Sequence, residues 1–204
     1  AEAAEMATFG AKVLHPATLL PAVRSNIPVY VASSKAPEAG GTWVTRDPQP
    51  RPTFRAIALR RDQTLLTLSS LSMLHAQGFL ANVFTILAKY KISVDTITTS
   101  EVSIALTLDK TGSASSGVEL LSPELLEELS QYCTVKVDTG LSLVALIGND
   151  LHLASGVAKR IFDTLEVYNI RMISYGASTN NICMLAQSDK ADDIVRSLHK
   201  SLFE

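Results

Sequence analysis

From residue 54 onward the spacing of apolar residues switches between two periods in a regular order. Leu80, Val83, Phe84 and Leu87 recur at helical spacing between Gly78 and Tyr90, which predicts an amphipathic helix. FRAIALRR and TLLTLSS before it, and ISVDTITTS and EVSIALTLD after it, read as strands. SPELLEELSQY predicts a helix capped by Ser122, with Pro123 at its first position. TVKVD and LSLVALIG read as two strands, Gly156 to Val167 as a helix, IRMISYG and ICMLAQ as strands, and DKADDIVRSLHKSLF as a final helix. TGSASSG, between EVSIALTLD and SPELLEELSQY, is a short polar loop.

The pattern repeats. Residues 64–108 lie over the segment beginning at Ser142 with a constant shift of about 78 and no gap. Gly78 falls on Gly156, Phe84 on Phe162, Leu87 on Leu165, Tyr90 on Tyr168 and Ile92 on Ile170. On this alignment Asp95 falls on Ile173 and Glu101 on Thr179. A kept framework with a changed charge suggests one ligand site and one mainly structural copy. The element order gives a βαββαβ unit within residues 64–138 and βαββα from Leu141, without a last strand. FRAIALRR is the strand left over. The first unit is therefore predicted to be inserted in the second, with residues 54–61 completing the second sheet. The expected fold class is α+β: two ferredoxin-like units, each a four-stranded antiparallel sheet with two helices on one face. Their open edges predict association.

Residues 1–46 read differently. AEAAEMATFGAKVL favours helix, HPATLLPAVRSN offers a second short helix, and IPVYVASS is β-rich. RDPQPRP then reads as an extended linker. The expected division is 1–46 for the tail of a larger α/β domain and 47–63 for the linker and completing strand. The first unit takes 64–138 and the second 139–204.

Composition changes little in this picture. With 204 residues, 47% of them hydrophobic, the chain can bury one sizeable core or two small ones. A net charge of −2 without long charge runs favours neither nucleic acid nor a membrane surface. No apolar run approaches the roughly 20 residues of a membrane span. AEAAEMATFG lacks the basic start of a signal peptide and begins with alanine. A piece of a longer cytoplasmic protein is expected. Cys133 and Cys183 sit in apolar strand contexts and read as buried reduced thiols. His15, His75, His152 and His199 are scattered without metal-ligand spacing.

The candidate chemistry lies around Gly78. Backbone N–H groups of Gly78, Phe79 and Leu80 at a helix start suit a carboxylate. The next strand is expected to bring Ser93, Val94 and Asp95 alongside, and the hairpin Ser100 and Glu101. Donors at one end and acids at the other describe a free amino acid. On spacing alone, a plain turn at Gly78 and a solvated Asp95 remain the alternative.

FGAKVLHPATLLPA, followed by IPVYVASS and GGTWV, resembles the closing segment of the catalytic domain of aspartokinases. GFLANVFTILAKYKISVDTITTSEVSIALTL resembles their first ACT domain, and the similarity runs on to SLHKSLFE. Within that family the lysine-sensitive monofunctional bacterial type is the most similar. The resemblance implies two ACT domains behind the end of an amino-acid kinase domain. It implies an enzyme that phosphorylates aspartate with ATP, with ATP and Mg as substrates of the full-length protein and no cofactor in this segment. It implies L-lysine as effector, bound between ACT domains of two subunits in a homodimer or higher oligomer. By the family motif the lysine pocket maps to Met73, Gly78, Phe79, Leu80, Ser93, Val94, Asp95, Thr99, Ser100 and Glu101. Lys12 maps near the nucleotide. The lysine-containing phosphate loop and the aspartate site have no counterpart here, so no catalytic residue or metal ligand is assigned and the chain alone is expected to be inactive. A threonine-responsive region, a ligand-free one, and a stand-alone ACT-type dimerisation module stay open as alternatives.

Overall fold

A computed structural model describes residues 2–10, 14–74, 77–109 and 120–204. The elements are α1 (Glu2–Thr8), α2 (Pro16–Arg24), β1 (Val29–Ala32), β2 (Gly41–Val44), β3 (Phe54–Ser69), α3 (Phe79–Lys89), β4 (Val94–Thr99) and β5 (Ser103–Asp109). They continue with α4 (Pro123–Ser130), β6 (Thr134–Gly148), α5 (Val157–Thr164), β7 (Ile170–Tyr175), β8 (Asn181–Gln187) and α6 (Ala191–Phe203). The Ser122 hydroxyl accepts from the Leu125 N–H and caps α4 as its sequence predicts. The loop TGSASSG lies outside the described residues.

Two expectations need correction. FRAIALRR and TLLTLSS form one 16-residue strand, β3, and TVKVD and LSLVALIG one 15-residue strand, β6. Asp62 (φ 58) and Gly140 (φ 70) mark the joins, but β3 and β6 stay paired with each other on both sides of them. The sequence signals there twist the strands without ending them. Helix α5 stops at Thr164, and Val167 stands 84% exposed beyond it.

The strands form one antiparallel six-stranded sheet in the order β4-β5-β3-β6-β8-β7, apart from a small β1-β2 pair. The C-terminal half of β3 and the N-terminal half of β6 join β4, β5, α3 and α4 in the first βαββαβ unit. The other halves join β7, β8, α5 and α6 in the second. The insertion is as expected, but the two four-stranded sheets share β3 and β6 rather than standing apart. The pairing is symmetric. Leu65 opposes Asp138, and moving each by 78 in opposite directions gives Leu143 opposite Arg60, also a pair. Gln63 opposite Leu141 maps onto itself, so a pseudo-two-fold axis passes there.

Each unit has its own core between sheet and helices. In the first, Leu66, Leu68, Ile104 and Leu106 meet Val83, Leu87, Leu125 and Leu129. In the second, Val144, Leu146 and Met184 meet Ile161, Ile194 and Leu198. A third cluster, with Leu65, Leu143, Met172, Cys183 and Leu185, fills the opposite face. The stretch 141–148 of β6 is buried on both faces, which explains why LSLVALIG reads as a continuous run rather than an alternation. The sheet curls enough for the Thr98 hydroxyl of β4 to donate to the Ile173 carbonyl of β7 at 3.3 Å.

Helix α1 docks on the second unit. Phe9 and Met6 add to the third cluster. Glu2 accepts from Asn149 at 2.6 Å, and Glu5 from Ser178 at 2.9 Å and Asn181 at 2.7 Å.

The buried face of α3 keeps Val83 and Leu87 of the expected stripe but not Leu80 and Phe84. Phe79, Val83, Ile86 and Leu87 are buried, while Leu80 is 43% and Phe84 38% exposed. Both stripes fit a helical period, and only docking on the sheet selects one.

Candidate effector site

Gly78 caps the start of α3 with φ 85. A Cβ there would meet nothing within 4 Å, so the glycine is required by its left-handed backbone and not by crowding. The following N–H groups form the donor-rich end of a helix. Met73, in the 3-10 turn Leu71–Leu74, Phe79 and Val94 all pack on the first unit's core. At the same end, the Ser70 N–H donates to the Val102 carbonyl at 2.9 Å. Thr99 closes β4 opposite Ile104. The Ser100 N–H donates to the Ser103 carbonyl at 2.8 Å, and the two hydroxyls lie 2.7 Å apart. Glu101 is exposed at the hairpin tip.

Ser93, Val94 and Asp95 lie elsewhere. Strand β4 starts opposite Leu108 and ends opposite Ile104, and α3 runs back along the sheet from the end of β3 to the start of β4. Its 11 residues span roughly 16 Å at about 1.5 Å each. The expectation that the strand brings Ser93–Asp95 beside the helix start within one chain is therefore corrected. Met73, Gly78, Phe79, Leu80, Thr99, Ser100 and Glu101 share one end of the unit, and Ser93, Val94 and Asp95 the other. Lys12 lies outside the described residues.

Asp95 sits where the β4 register slips between Val94 and Thr96, a bulge that turns a side chain out of the strand's alternation. Its Oδ2 is 3.3 Å from Nη1 of Arg60 on β3. Reading the sequence did not single out Arg60.

The second unit has the same construction with a different offset. Leu108 of β5 corresponds to Ala186 of β8 at a shift of 78, in keeping with the symmetric pairing of the centre strands. But Val94 pairs with Leu108 and Ile170 with Ala186, so the edge strands correspond at a shift of 76 (170 minus 94). The ungapped alignment is wrong there. The path from α5 into β7 is effectively two residues shorter, and the β7–β8 hairpin two residues longer. Ile173 is the counterpart of Ile97, and Glu101 lies in a loop with no one-to-one partner. The counterpart of Asp95 is Arg171, also at a bulge, between Ile170 and Met172. Arg171 pairs with Asp138 at 3.0 Å, and Asp138 is the counterpart of Arg60. The two units thus carry the same ion pair with its charges exchanged.

Glu128 of α4 accepts from Lys89 at 2.6 Å and from the Tyr90 hydroxyl at 2.8 Å. The Lys89 hydrogen bond, followed by that of Tyr90, holds its carboxyl below the ordinary range. Burial pushes the Cys183 thiol up to about 12, with Glu5 adding to the shift. Cys133, half-buried, is raised by the same desolvation. Both thiols are free. Among the described residues no cluster of His, Cys, Asp or Glu could hold a metal ion, and no helix is long and apolar enough to cross a membrane.

Residues 144–202 match the family model of an ACT domain. Over its whole length the chain is 66% identical to the lysine-sensitive aspartokinase 3 of Escherichia coli and spans 45% of that protein. The chain thus matches the ACT-domain-containing C-terminal region of aspartokinases. It is also 42% identical to the chloroplastic aspartokinase 3 of Arabidopsis thaliana, covering all of this chain and 37% of that one. Two solved structures of Escherichia coli aspartokinase III superpose on the whole chain and on 45% of their own. One, in complex with aspartate and ADP (R-state), gives a TM-score of 0.91 at 66% identity. The other, in complex with lysine and aspartate (T-state), gives 0.88 at 65%. The chain thus spans less than half the length of these two curated relatives, and its two units have the ACT topology.

Proposed function

We propose that this chain is the regulatory region of an aspartate kinase and binds L-lysine between the ACT units of two copies. The enzyme would make 4-phospho-L-aspartate from aspartate and ATP, with Mg, in the cytoplasm, and lysine would inhibit it by feedback. The division at 1–46, 47–63, 64–138 and 139–204 belongs to the same proposal, with α1 as the contact between the first of these segments and the second ACT unit.

The observation that carries this reading is the split of the candidate residues between the two ends of β4. Strand β4 is an edge of the sheet, and an edge strand offers its unpaired backbone groups to another copy. A second copy set antiparallel across that edge puts its Asp95 end beside the helix start and hairpin of the first. The two-fold arrangement makes two equivalent sites, each built from both copies. Helix N–H groups of one copy would take the ligand carboxylate, and Asp95 of the other an ammonium. Leu80, Phe84 and Ile97, each more than a third exposed, supply apolar surface beside these groups.

A thermal-shift panel of free amino acids, paired with sedimentation, tests the reading. Lysine at about a hundredfold excess over its Kd should stabilise the protein by about 2.7 kcal/mol, with two lysines bound per dimer. Stabilisation by threonine alone, or a monomer at high micromolar concentration with and without lysine, would sink it.

A further inference from the structure

We infer that Arg60 sets the affinity of the effector site, because its guanidinium holds the place at Asp95 that the ligand's ammonium must take. The inference rests on the lysine-site reading above. Arg60 Nη1 lies 3.3 Å from Asp95 Oδ2, close enough for a direct ion pair. An arriving ammonium brings a second positive charge to the same carboxylate, so it competes with Arg60 for Asp95. Arg60 belongs to the N-terminal half of β3, the closing strand of the second unit. Asp95 belongs to the edge strand of the first. Ligand binding would therefore break a charged tie between the units, which couples occupancy of the first unit to its placement against the second. By reciprocity, whatever draws Arg60 away tightens ligand binding by the same factor.

The second unit supports this. The same position holds Arg171 paired with Asp138. There the acid stands on the centre strand and the base on the edge, so a ligand amine approaching the edge meets a cation. The framework tolerates either polarity, and only the first presents a carboxylate that an ammonium can capture from its internal partner.

Calorimetry with L-lysine on the 204-residue chain tests the inference. Arg60→Met keeps the apolar stem and removes the charge. It should bind lysine about two- to tenfold more tightly than the parent, since an internal competitor lowers apparent affinity by the fraction of sites it holds. Arg60→Lys should restore parental binding. Asp95→Asn should weaken binding by about tenfold or more. The double variant should bind as weakly as Asp95→Asn alone, because Arg60 has nothing left to guard. A gain that persists in the Asp95→Asn background would mean simple repulsion of a cationic ligand and would overturn the competition. Unchanged or weaker binding by Arg60→Met, with Asp95→Asn still impaired, would overturn it while leaving the lysine site standing. If the parent binds no lysine, both readings fall. Should Arg60→Met not fold, the Arg60 side-chain NMR resonance of the parent decides: it should move on adding lysine, and a fixed resonance refutes displacement.

Discussion

The edges of the sheet, β4 and β7, are the same construction with opposite charge. Each follows a helix opened by a left-handed glycine, Gly78 or Gly156. Each carries a bulge after its first residue and one half of an ion pair to a centre strand. The difference is polarity. The β4 edge carries the acid of its pair, Asp95, and the β7 edge the base, Arg171. One fold holds either arrangement because the ion pair is satisfied internally both ways. The exchange of charge thus distinguishes the two units while each keeps its own core.

The comparison implies that the cores should be equivalent where the edges are not. Leu68 and Leu146 occupy matching positions, 78 residues apart, and both are fully buried. Leu68→Ala and Leu146→Ala should each cost about 2–5 kcal/mol in urea unfolding. A large loss at one and almost none at the other would break the equivalence. The polarity argument is sharpened by exchanging the charges of the first unit, Arg60→Asp with Asp95→Arg, to copy the second. The unfolding midpoint should stay close to the parent's, while lysine binding falls about a hundredfold. Lysine bound as tightly as in the parent would remove Asp95 from the site. Arg171→Ala should leave lysine affinity as it was.

The exposed apolar residues separate the edges more gently. Leu80→Ala with Phe84→Ala should weaken self-association by about tenfold in sedimentation, a loss of about 1.4 kcal/mol. Phe162→Ala, at the matching place in the second unit, should leave it unchanged. Equal effects at both would mean that β4 is not the preferred edge.

The smallest effect concerns acid stability. Tyr90 reaches a carboxylate, Glu128, while among the described residues the hydroxyl of its counterpart Tyr168 meets the Ser197 hydroxyl, at 3.1 Å. The folded pKa of Glu128 is depressed. Its contribution is therefore present above the unfolded value of about 4.3 and is lost as pH falls through the lower folded value. Glu128→Gln should destabilise the parent slightly at neutral pH and flatten its loss of stability below about pH 4.3. A parallel pH profile for variant and parent would exclude the linkage.

The apolar periods, the Ser122 cap and the two helix-opening glycines are local signals, and the structure follows them. The inserted order of the units could be read from strand counting because each sheet needs a fixed number of strands. Two features were hidden. A two-residue deletion before β7 and a two-residue insertion after it cancel, so an ungapped match looked sound while Asp95 was set against Ile173 instead of Arg171. Leu80 and Phe84 have the same helical spacing as the buried stripe of α3, and no local preference distinguishes the two.

By itself, then, the sequence determined which segments are helix or strand, that two copies of one unit are present, and which residue types a ligand could use. These follow from periodicity and backbone preference, which act over a few residues. The tertiary structure alone decided that eight predicted strands become six, because β3 and β6 run through both units as one paired centre. It also decided that Asp95 meets Arg60, 35 positions away in sequence, and that the candidate site is split between opposite ends of β4. Those outcomes depend on strand register and on the direction in which a helix returns along its sheet. Both are fixed only when distant segments close on one another.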